Sequence, residues 1–326
     1  MVHSLVGGRY AHAAITAALM LGSSTVAYAD AGIDYPHDLV TLVTHSSAGG
    51  GGDVFLRDMI GPLSEIMGVE FVVENVVGGS GGAAIAYMAE APADGSVIYA
   101  SNPTYIFTSF LSDLDPNYTD LDPIVNVFYD PQVIFARADA PYETLEDAVS
   151  AAQEEDMVWA AGAAGALGRM AMEQLKQETG VDAAILTGEG GGETILSVLN
   201  GTADIAVGEV LELRSQLEAE EVKLLAVLTQ ERLAENPDLP TARELGIDVV
   251  VEKYRGLAGP AGLPDDVIAA WESAIQQLLE HPEYREMYTA ASLEPAYLSN
   301  EEFRPFIDDF AASTEDFMIS VGIIQE

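Results

Sequence analysis

The stretch LVTLVTHSSAGGGGDVFLRD, residues 39–58, joins an apolar run, four consecutive glycines and the start of an amphipathic pattern. The apolar run predicts a buried strand, and Asp53 is placed to cap a helix that continues to about Met67. Glycine costs the folded state conformational entropy, so four in a row indicate positive φ angles or a close approach to another group. The predicted unit is a strand, a glycine-rich turn and a helix.

The same unit recurs along the chain. VEFVVENVV leads into GGSGG, DMVWAAG into AAGALG, and DAAILT into GEGGG, each followed by a helical pattern. Such alternation predicts an α/β protein with parallel sheets. No low-complexity linker divides the chain, so we expect two lobes joined by two crossing strands, near Tyr129–Arg137 and Val249–Gly256.

The composition restricts the class of partner. The 326 residues include 53 acidic and 13 basic side chains, for a formal net charge of −40. A surface this acidic repels phosphate backbones, so we expect no nucleic-acid partner. The charge is typical of a solvated surface in a salt-rich medium, which predicts a halophilic source and greater stability at high salt.

The N-terminus has the pattern of a secretory signal. His3 and Arg9 precede an apolar run, and Ala27 and Ala29 form an A-x-A site, so residues 1–29 are predicted to be removed by cleavage after Ala29. No later stretch approaches the ~20 apolar residues of a membrane span. The chain has no cysteine, which excludes disulfides and a lipid-modified N-terminal cysteine. We expect a soluble periplasmic protein.

Of two nucleotide-binding interpretations of the glycine loops, the residues rule out one and disfavour the other. A Walker loop requires a lysine after its glycines, and neither cluster has one. Gly79, Gly81 and Ala84 fit a dinucleotide fingerprint, but the next strand ends in Ser101 and Asn102 instead of the acidic residue that would hold a ribose. The histidines show no metal-ligand spacing. We therefore expect no cofactor and no metal.

A hydrolase is an alternative from another class. GGSGG matches the nucleophile motif G-x-S-x-G with Ser80 as the nucleophile, and His281 is the available late histidine. A second alternative is a sensor that presents its ligand to a membrane receptor.

Backbone anion capture accounts for all the loops together. A glycine-rich turn entering a helix directs several N–H groups and a partial positive charge at one spot. The chain has four such turns, at residues 46–53, 78–83, 163–169 and 188–193. If all four face one cleft, they can hold a small carboxylate with little help from cationic side chains.

The motifs resemble those of the Bug family, the solute-binding proteins of tripartite tricarboxylate transporters. The resemblance rests on Gly49, Gly50, Asp53 and Arg57 in the first turn, and it extends through the mature chain. Further matches are VVENVVGGSGGAAIAYMAEAPADGSVIYAS, LNGTADIAVG, LPTARELGI and YRGLAGPAGLPDDVI.

The resemblance implies a two-lobed periplasmic-binding-protein fold with a ligand cleft between the lobes, and no chemistry on the ligand. The expected lobes are residues 30–133 with 255–326, and residues 134–254. The expected ligand is a mono- or dicarboxylate, aromatic acids included, which a monomeric receptor would hand to membrane permease subunits.

The predicted ligand-binding residues come from the four turns and the strand ends beside them. They are His45, Ser46, Ser47, Ala48, Gly49, Gly50, Asp53, Gly79, Ser80, Gly81, Ser101, Asn102, Ala163, Gly165, Gly168, Arg169, Thr187, Gly188 and Glu209. The chain departs from the family pattern at His45, Ser46, Arg169 and Tyr254. Arg169 is a candidate clamp for a ligand carboxylate, whereas Arg57 is expected to hold Asp53 or loop carbonyls.

Overall fold

The first strand forms because its apolar residues are covered on both faces. In the computed structural model, which describes residues 33–112, 114–162, 166–188, 190–251, 253–320 and 324–325, Val40, Leu42 and Val43 are fully buried. The helix after this strand packs Phe55, Leu56, Met59 and Leu63 into the same core. The signal-peptide prediction lies outside the described residues.

One sheet, called here the first sheet, has six strands in the order β11-β4-β10-β3-β1-β2. β1 pairs in parallel with β2 and β3, while β10 is antiparallel to β3 and β4. Its strands are β1 (Leu39–Thr44), β2 (Glu70–Asn75), β3 (Val97–Ser101), β4 (Leu121–Tyr129), β10 (Tyr254–Pro260) and β11 (Glu294–Leu298).

The second sheet has five strands in the order β7-β6-β8-β5-β9. β6 pairs in parallel with β7 and β8, and β5 is antiparallel to β8 and β9. Its strands are β5 (Gln132–Arg137), β6 (Val158–Ala161), β7 (Ala184–Thr187), β8 (Ile205–Glu209) and β9 (Val222–Val227).

The chain passes between the sheets twice, and the two passages touch. Asp130 and Pro131 connect β4 to β5, and the segment after β9 returns to β10. The Asp130 amide donates to the Lys253 carbonyl at 2.7 Å, which joins the passages. Charged residues at this point therefore lie close to the carboxyl-end loops of both sheets.

Ten helices occur among the described residues. They are α1 (Gly51–Met67), α2 (Gly82–Glu90), α3 (Pro103–Ser112), α4 (Leu145–Glu154), α5 (Leu167–Thr179), α6 (Gly191–Leu199), α7 (Val210–Glu218), α8 (Asp265–Glu280), α9 (Pro282–Ala290) and α10 (Asn300–Ser320). Within the described parts of the chain, none of these helices combines the length and hydrophobicity that crossing a bilayer requires.

The predicted fold class is confirmed: two mixed α/β sheets, each with its own helices. Several details were wrong or missing. Asp53 does not cap α1, because the N-cap residue is Gly50 and Asp53 lies inside the first turn. β4, β11, α3 and α7 were not predicted; β11 is a short strand between helical segments, and α3 and α7 follow almost directly on β3 and β8.

Candidate functional site

Four glycine-rich turns meet at one cavity, called here the cleft. It is lined from the first sheet by the starts of α1 and α2, and from the second sheet by the starts of α5 and α6. The centre of a water molecule can occupy about 80 Å³ of it, several times the roughly 10–15 Å³ needed for one water. The lining residues are His45, Ser46, Gly51, Gly52, Gly78, Ser80, Gly81, Asn102, Thr104, Gln132, Gly162, Ala166, Leu167, Gly168, Gly190, Gly191, Thr194, Val207, Glu209, Glu212 and Lys253.

A local hydrogen-bond network around Asp53 shapes the first turn; we call it the Asp53 network. Asp53 Oδ2 accepts from the Gly49 amide at 2.9 Å, and its Oδ1 accepts from Arg57 Nε at 2.9 Å and from Asn75 Nδ2 at 3.0 Å. Asn75 also donates to the Ser46 carbonyl at 2.9 Å. The carboxylate thus ties the loop to the helix and to the end of β2.

These bonds outweigh the effect of burial on Asp53. Burial would raise the pKa of this carboxyl, but the hydrogen bonds from Arg57, Gly49 and Asn75 hold the pKa below its ordinary value. The carboxylate is therefore ionised at neutral pH, and it lies in the first turn of α1 where the helix dipole favours negative charge.

The first turn needs glycine because α1 begins directly against charged groups. A Cβ on Gly51 would lie 2.3 Å from Arg255 Nη2 and 2.7 Å from Glu209 Oε2. The Gly51 amide donates to Glu212 Oε2 at 2.9 Å. One of the unpaired N–H groups of α1 is thus satisfied by a carboxyl from α7, the helix between β8 and β9 of the second sheet.

Beneath the turns lies a group of buried polar side chains that we call the floor cluster: Asp130, Gln132, Glu209, Glu212, Lys253 and Arg255. None of the six is more than 8% exposed. Glu209 Oε1 accepts from Lys253 Nζ at 2.5 Å and from Gln132 Nε2 at 2.6 Å. Arg255 bonds to Asp130 and lies 3.6 Å from Glu209 Oε2.

The acids of the floor cluster have divergent pKa values. Burial would raise the pKa of Glu209, but the charges of Lys253 and Arg255 lower it to about 2. Burial and the neighbouring Glu209 charge raise the pKa of Glu212 well above its ordinary value. Burial raises the pKa of Asp130 to about 6 despite the opposing charge of Arg255. Burial and like charge therefore oppose ionisation of Glu212, whereas the paired cations favour the ionised form of Glu209.

His45 is the histidine of the cleft, and it is neutral. Its Nδ1 lies 2.5 Å from Tyr99 Oη, within hydrogen-bond distance. Burial, together with the charges of Lys253 and Arg255, lowers the pKa of His45 to about 4. His45 therefore presents a neutral imidazole to the cleft.

The cleft contains some of the predicted ligand-binding residues and not others. Those lining it are His45, Ser46, Ser80, Gly81, Asn102, Gly168 and Glu209. Ser47, Ala48, Gly49, Gly50, Asp53, Gly79, Ser101, Arg169, Thr187 and Gly188 lie in the same loops or strand ends without lining it. Ala163 and Gly165 fall outside the described residues.

Arg169 is engaged away from the cleft. Its guanidinium donates to Glu173 Oε1 at 2.7 Å and to Thr187 Oγ1 at 2.9 Å. Arg57, by contrast, contacts Asp53 as expected.

Four of the charged and polar residues at or beneath the cleft were not predicted from the sequence. Lys253, Gln132 and Glu212 line the cleft, and Arg255 lies directly beneath it. The signal was present in DVVVEKYRGLAG, where Lys253 and Arg255 interrupt an apolar run that leads into a buried strand. In a chain with three lysines, such a placement indicates a paired, buried charge.

The hydrolase alternative lacks its second residue at the site. Ser80 lines the cleft, but His281 lies at the junction of α8 and α9 with its Nε2 3.6 Å from Glu65 Oε2. His281 is absent from the residues described as lining the cleft.

A comparison with known families identifies the class. Residues 55–323 match the tripartite tricarboxylate transporter family receptor, which is most of the chain. The chain therefore belongs to this receptor family, and the resemblance drawn from its motifs is confirmed. The family consists of solute-binding receptors, so the expectation that the protein is not an enzyme is also confirmed.

Individual relatives are distant in sequence, but the matches cover most of the chain. A UPF0065 protein from the gbd 5' region of Cupriavidus necator is 26% identical over 317 residues, covering 95% of each chain. BugT of Bordetella pertussis is 22% identical over 282 residues, covering 84% of this chain and 86% of BugT.

Solved structures share the fold. The periplasmic binding protein BugD superposes with a TM-score of 0.83 at 22% identity, covering 90% of this chain and 100% of BugD. An R. palustris protein determined with adipate has the same TM-score and coverage at 25% identity.

Proposed function

We propose that this protein captures a small organic carboxylate in the cleft and delivers it to the membrane subunits of a tripartite transporter. The observation that carries the proposal is the convergence of four helix-starting, glycine-rich turns on one small cavity. Helix N-termini and loop amides bind anions through oriented N–H groups and the helix dipole. The adipate bound by the R. palustris relative is consistent with this ligand class.

The lobe arrangement supports capture by closure. The strands of the first sheet come from residues 39–129 and 254–298, and those of the second from residues 132–227. We propose that the lobes follow this division, with the two passages as the hinge. Ligand contacts to turns of both sheets would favour the closed state over the open one.

Binding to the cleft is tested by calorimetry against a panel of organic acids, with a variant that fills the cavity. We expect a Kd near micromolar, about −8 kcal/mol, for at least one acid. Ala166 lines the cleft at the start of α5, so Ala166→Trp should abolish binding. Ala219→Trp, at an exposed position after α7, is the matched control and should bind normally. Millimolar or absent binding throughout the panel, or normal binding by Ala166→Trp, would exclude this function.

Export, the monomeric state and the stabilising effect of salt are separate parts of the proposal, and each has its own test. The family membership supports export, and the sequence of residues 1–29 supports cleavage after Ala29. Mass spectrometry of the mature protein should give a chain that begins at Asp30. Light scattering should give a monomer, and chemical denaturation should show higher stability at about 1 M salt than at low salt, because salt screens the net charge of −40.

A further inference from the structure

A second cavity, called here the side pocket, adjoins the cleft. The centre of a water molecule can occupy about 360 Å³ of it, within the roughly 300–1,000 Å³ typical of small-molecule sites. The corresponding volume of the cleft is only about 80 Å³. Among the described residues that line the side pocket none is charged, and much of its wall is formed by Phe107, Met170, Val250, Val251 and Phe310. The side pocket therefore has room for an apolar group that the cleft alone lacks.

The helix α5 forms a wall of both cavities. Its N-cap residue, Ala166, lines the cleft. Leu167, Met170, Ala171 and Gln174 line the side pocket, and their spacing of three and four residues places them on one face of the helix. At 1.5 Å per residue this face extends for about 10 Å from the start of α5. The side pocket thus continues directly from the cleft along α5.

The opposite wall is also shared by the two cavities. On α3, Thr104 lines the cleft, and Phe107, one turn later, lines the side pocket. Phe107 packs edge to face against Phe310 of α10, with ring centroids 6.1 Å apart. The cleft and the side pocket therefore lie end to end between α3 and α5.

Leu167 is the residue that separates the two cavities. Of the residues that the structure describes, it alone lines both. Its side chain belongs to the hydrophobic core of the second sheet and is 9% exposed. The next residue fixes the start of α5 against β8, because a Cβ on Gly168 would lie 2.9 Å from Val207 Cγ1. Close packing on both sides holds Leu167 in place between the cleft and the side pocket.

On the basis of the proposed function, we infer that Leu167 is a specificity-determining residue, which closes the cleft toward the side pocket and limits the length of the apolar chain that a bound acid can carry. The carboxylate of the acid lies at the glycine-rich turns, and its chain extends along α5 until it meets Leu167. Without this side chain the two cavities join. Each methylene that a longer acid then buries in the side pocket should raise its affinity by up to about fourfold.

The test compares acids of different length in the wild type and in Leu167→Ala. Calorimetry at about pH 7.5 measures straight-chain monocarboxylates and diacids of four to eight carbons, and the affinity ratio of the eight-carbon to the four-carbon acid is taken within each series that binds. We expect the wild type to prefer the four-carbon acid. In Leu167→Ala the ratio should move toward the eight-carbon acid by at least about tenfold, which corresponds to two methylenes buried in the side pocket.

Two further variants test whether the side pocket receives the chain. Met170→Ala enlarges the side pocket without altering the lining of the cleft, so it should keep the wild-type ratio. Ser313 lines the side pocket from an exposed position on α10, and Ser313→Phe in the Leu167→Ala background refills the space. That double variant should return to the wild-type ratio. If Leu167→Ala does not fold, Leu167→Val removes one methylene and should move the ratio in the same direction by about two- to fourfold.

The outcomes separate this inference from the proposed function. An unchanged ratio in a folded Leu167 variant, or a wild type that binds the eight-carbon acid as tightly as the four-carbon acid, would overturn the inference and leave carboxylate capture intact. A shift of equal size in Met170→Ala, or one that persists after Ser313→Phe, would overturn the assignment of Leu167 as the wall between the cavities. Absence of binding by every acid in the wild type would overturn both.

Discussion

Two polar groups meet at the start of α1, and they are assembled in different ways. In the Asp53 network, the bonds of Asp53 span 4, 4 and 22 positions of the chain. In the floor cluster, the bonds of Lys253 to Glu209, Arg255 to Asp130 and Gly51 to Glu212 span 44, 125 and 161 positions. The first group can form once β1, α1 and β2, which are consecutive in the chain, are in place. The second exists only when both sheets have assembled, so it reports and stabilises their association.

The largest effect should follow from breaking the floor cluster. Arg255→Met removes the partner of Asp130 and leaves a carboxylate buried without compensation. We expect a loss of about 3–5 kcal/mol in the free energy of unfolding, measured by urea denaturation at pH 7. Arg285→Met is the control, because the pair of Arg285 with Glu280 is exposed, and it should cost no more than about 1 kcal/mol. Equal losses in the two variants would contradict the stabilising role of the floor cluster.

A substitution at Gly51, where α1 contacts the floor cluster, should reduce the free energy of unfolding nearly as much. In Gly51→Ala the added methyl overlaps Arg255 and Glu209, so the floor cluster must shift. We expect a loss of about 3 kcal/mol, at the upper end for overpacking because the displaced groups are paired and buried. Gly61→Ala lies on the same helix with nothing within 4 Å of the new Cβ. It should gain about 0.5–1 kcal/mol from helix propensity, and a similar loss in both would disprove the close-approach explanation.

The pH dependence of the free energy of unfolding should show the lowered pKa of His45, which burial and the cations of the floor cluster cause. Its pKa is about 4 in the folded protein and 6.5 ordinarily. As pH falls from about 6.5 to 4, the unfolded chain binds a proton that the folded protein does not, so stability is lost. We expect a loss of about 3 kcal/mol in the free energy of unfolding from this residue by pH 4. Urea denaturation between pH 6.5 and 4 should show a shallower decline in the free energy of unfolding for His45→Gln than for wild type. Parallel declines in the two proteins would contradict a lowered pKa for His45.

A substitution in the Asp53 network should cause the smallest loss in the free energy of unfolding. Asp53→Asn keeps an acceptor for the Gly49 amide but removes the charge that holds Arg57, whose side chain is 53% exposed. We expect a loss of about 1 kcal/mol. Asp309→Asn, at an exposed position on α10, should stay within about 0.5 kcal/mol of wild type. A loss as large as that of Arg255→Met would remove the contrast between the two groups.

Local patterns predicted much of the fold and part of the site. The repeated strand–turn–helix patterns predicted β1 with α1 and the units that follow them. The position of Asp53 was misjudged because four glycines allow the helix to start earlier than a side-chain cap would suggest. Arg169 was favoured over Lys253 because it follows a glycine loop, whereas the residues around Lys253 look like an ordinary apolar strand.

The sequence by itself determined the repeated strand–turn–helix units and the family, because glycine turns before helices act within a few residues. The tertiary structure decided which charges meet. Asp130, Glu209, Glu212, Lys253 and Arg255 lie far apart along the chain, and neither their pairing nor their divergent pKa values can be derived from spacing. Burial and mutual distance set those properties, and both arise only after the two sheets bring their loops to the same cleft.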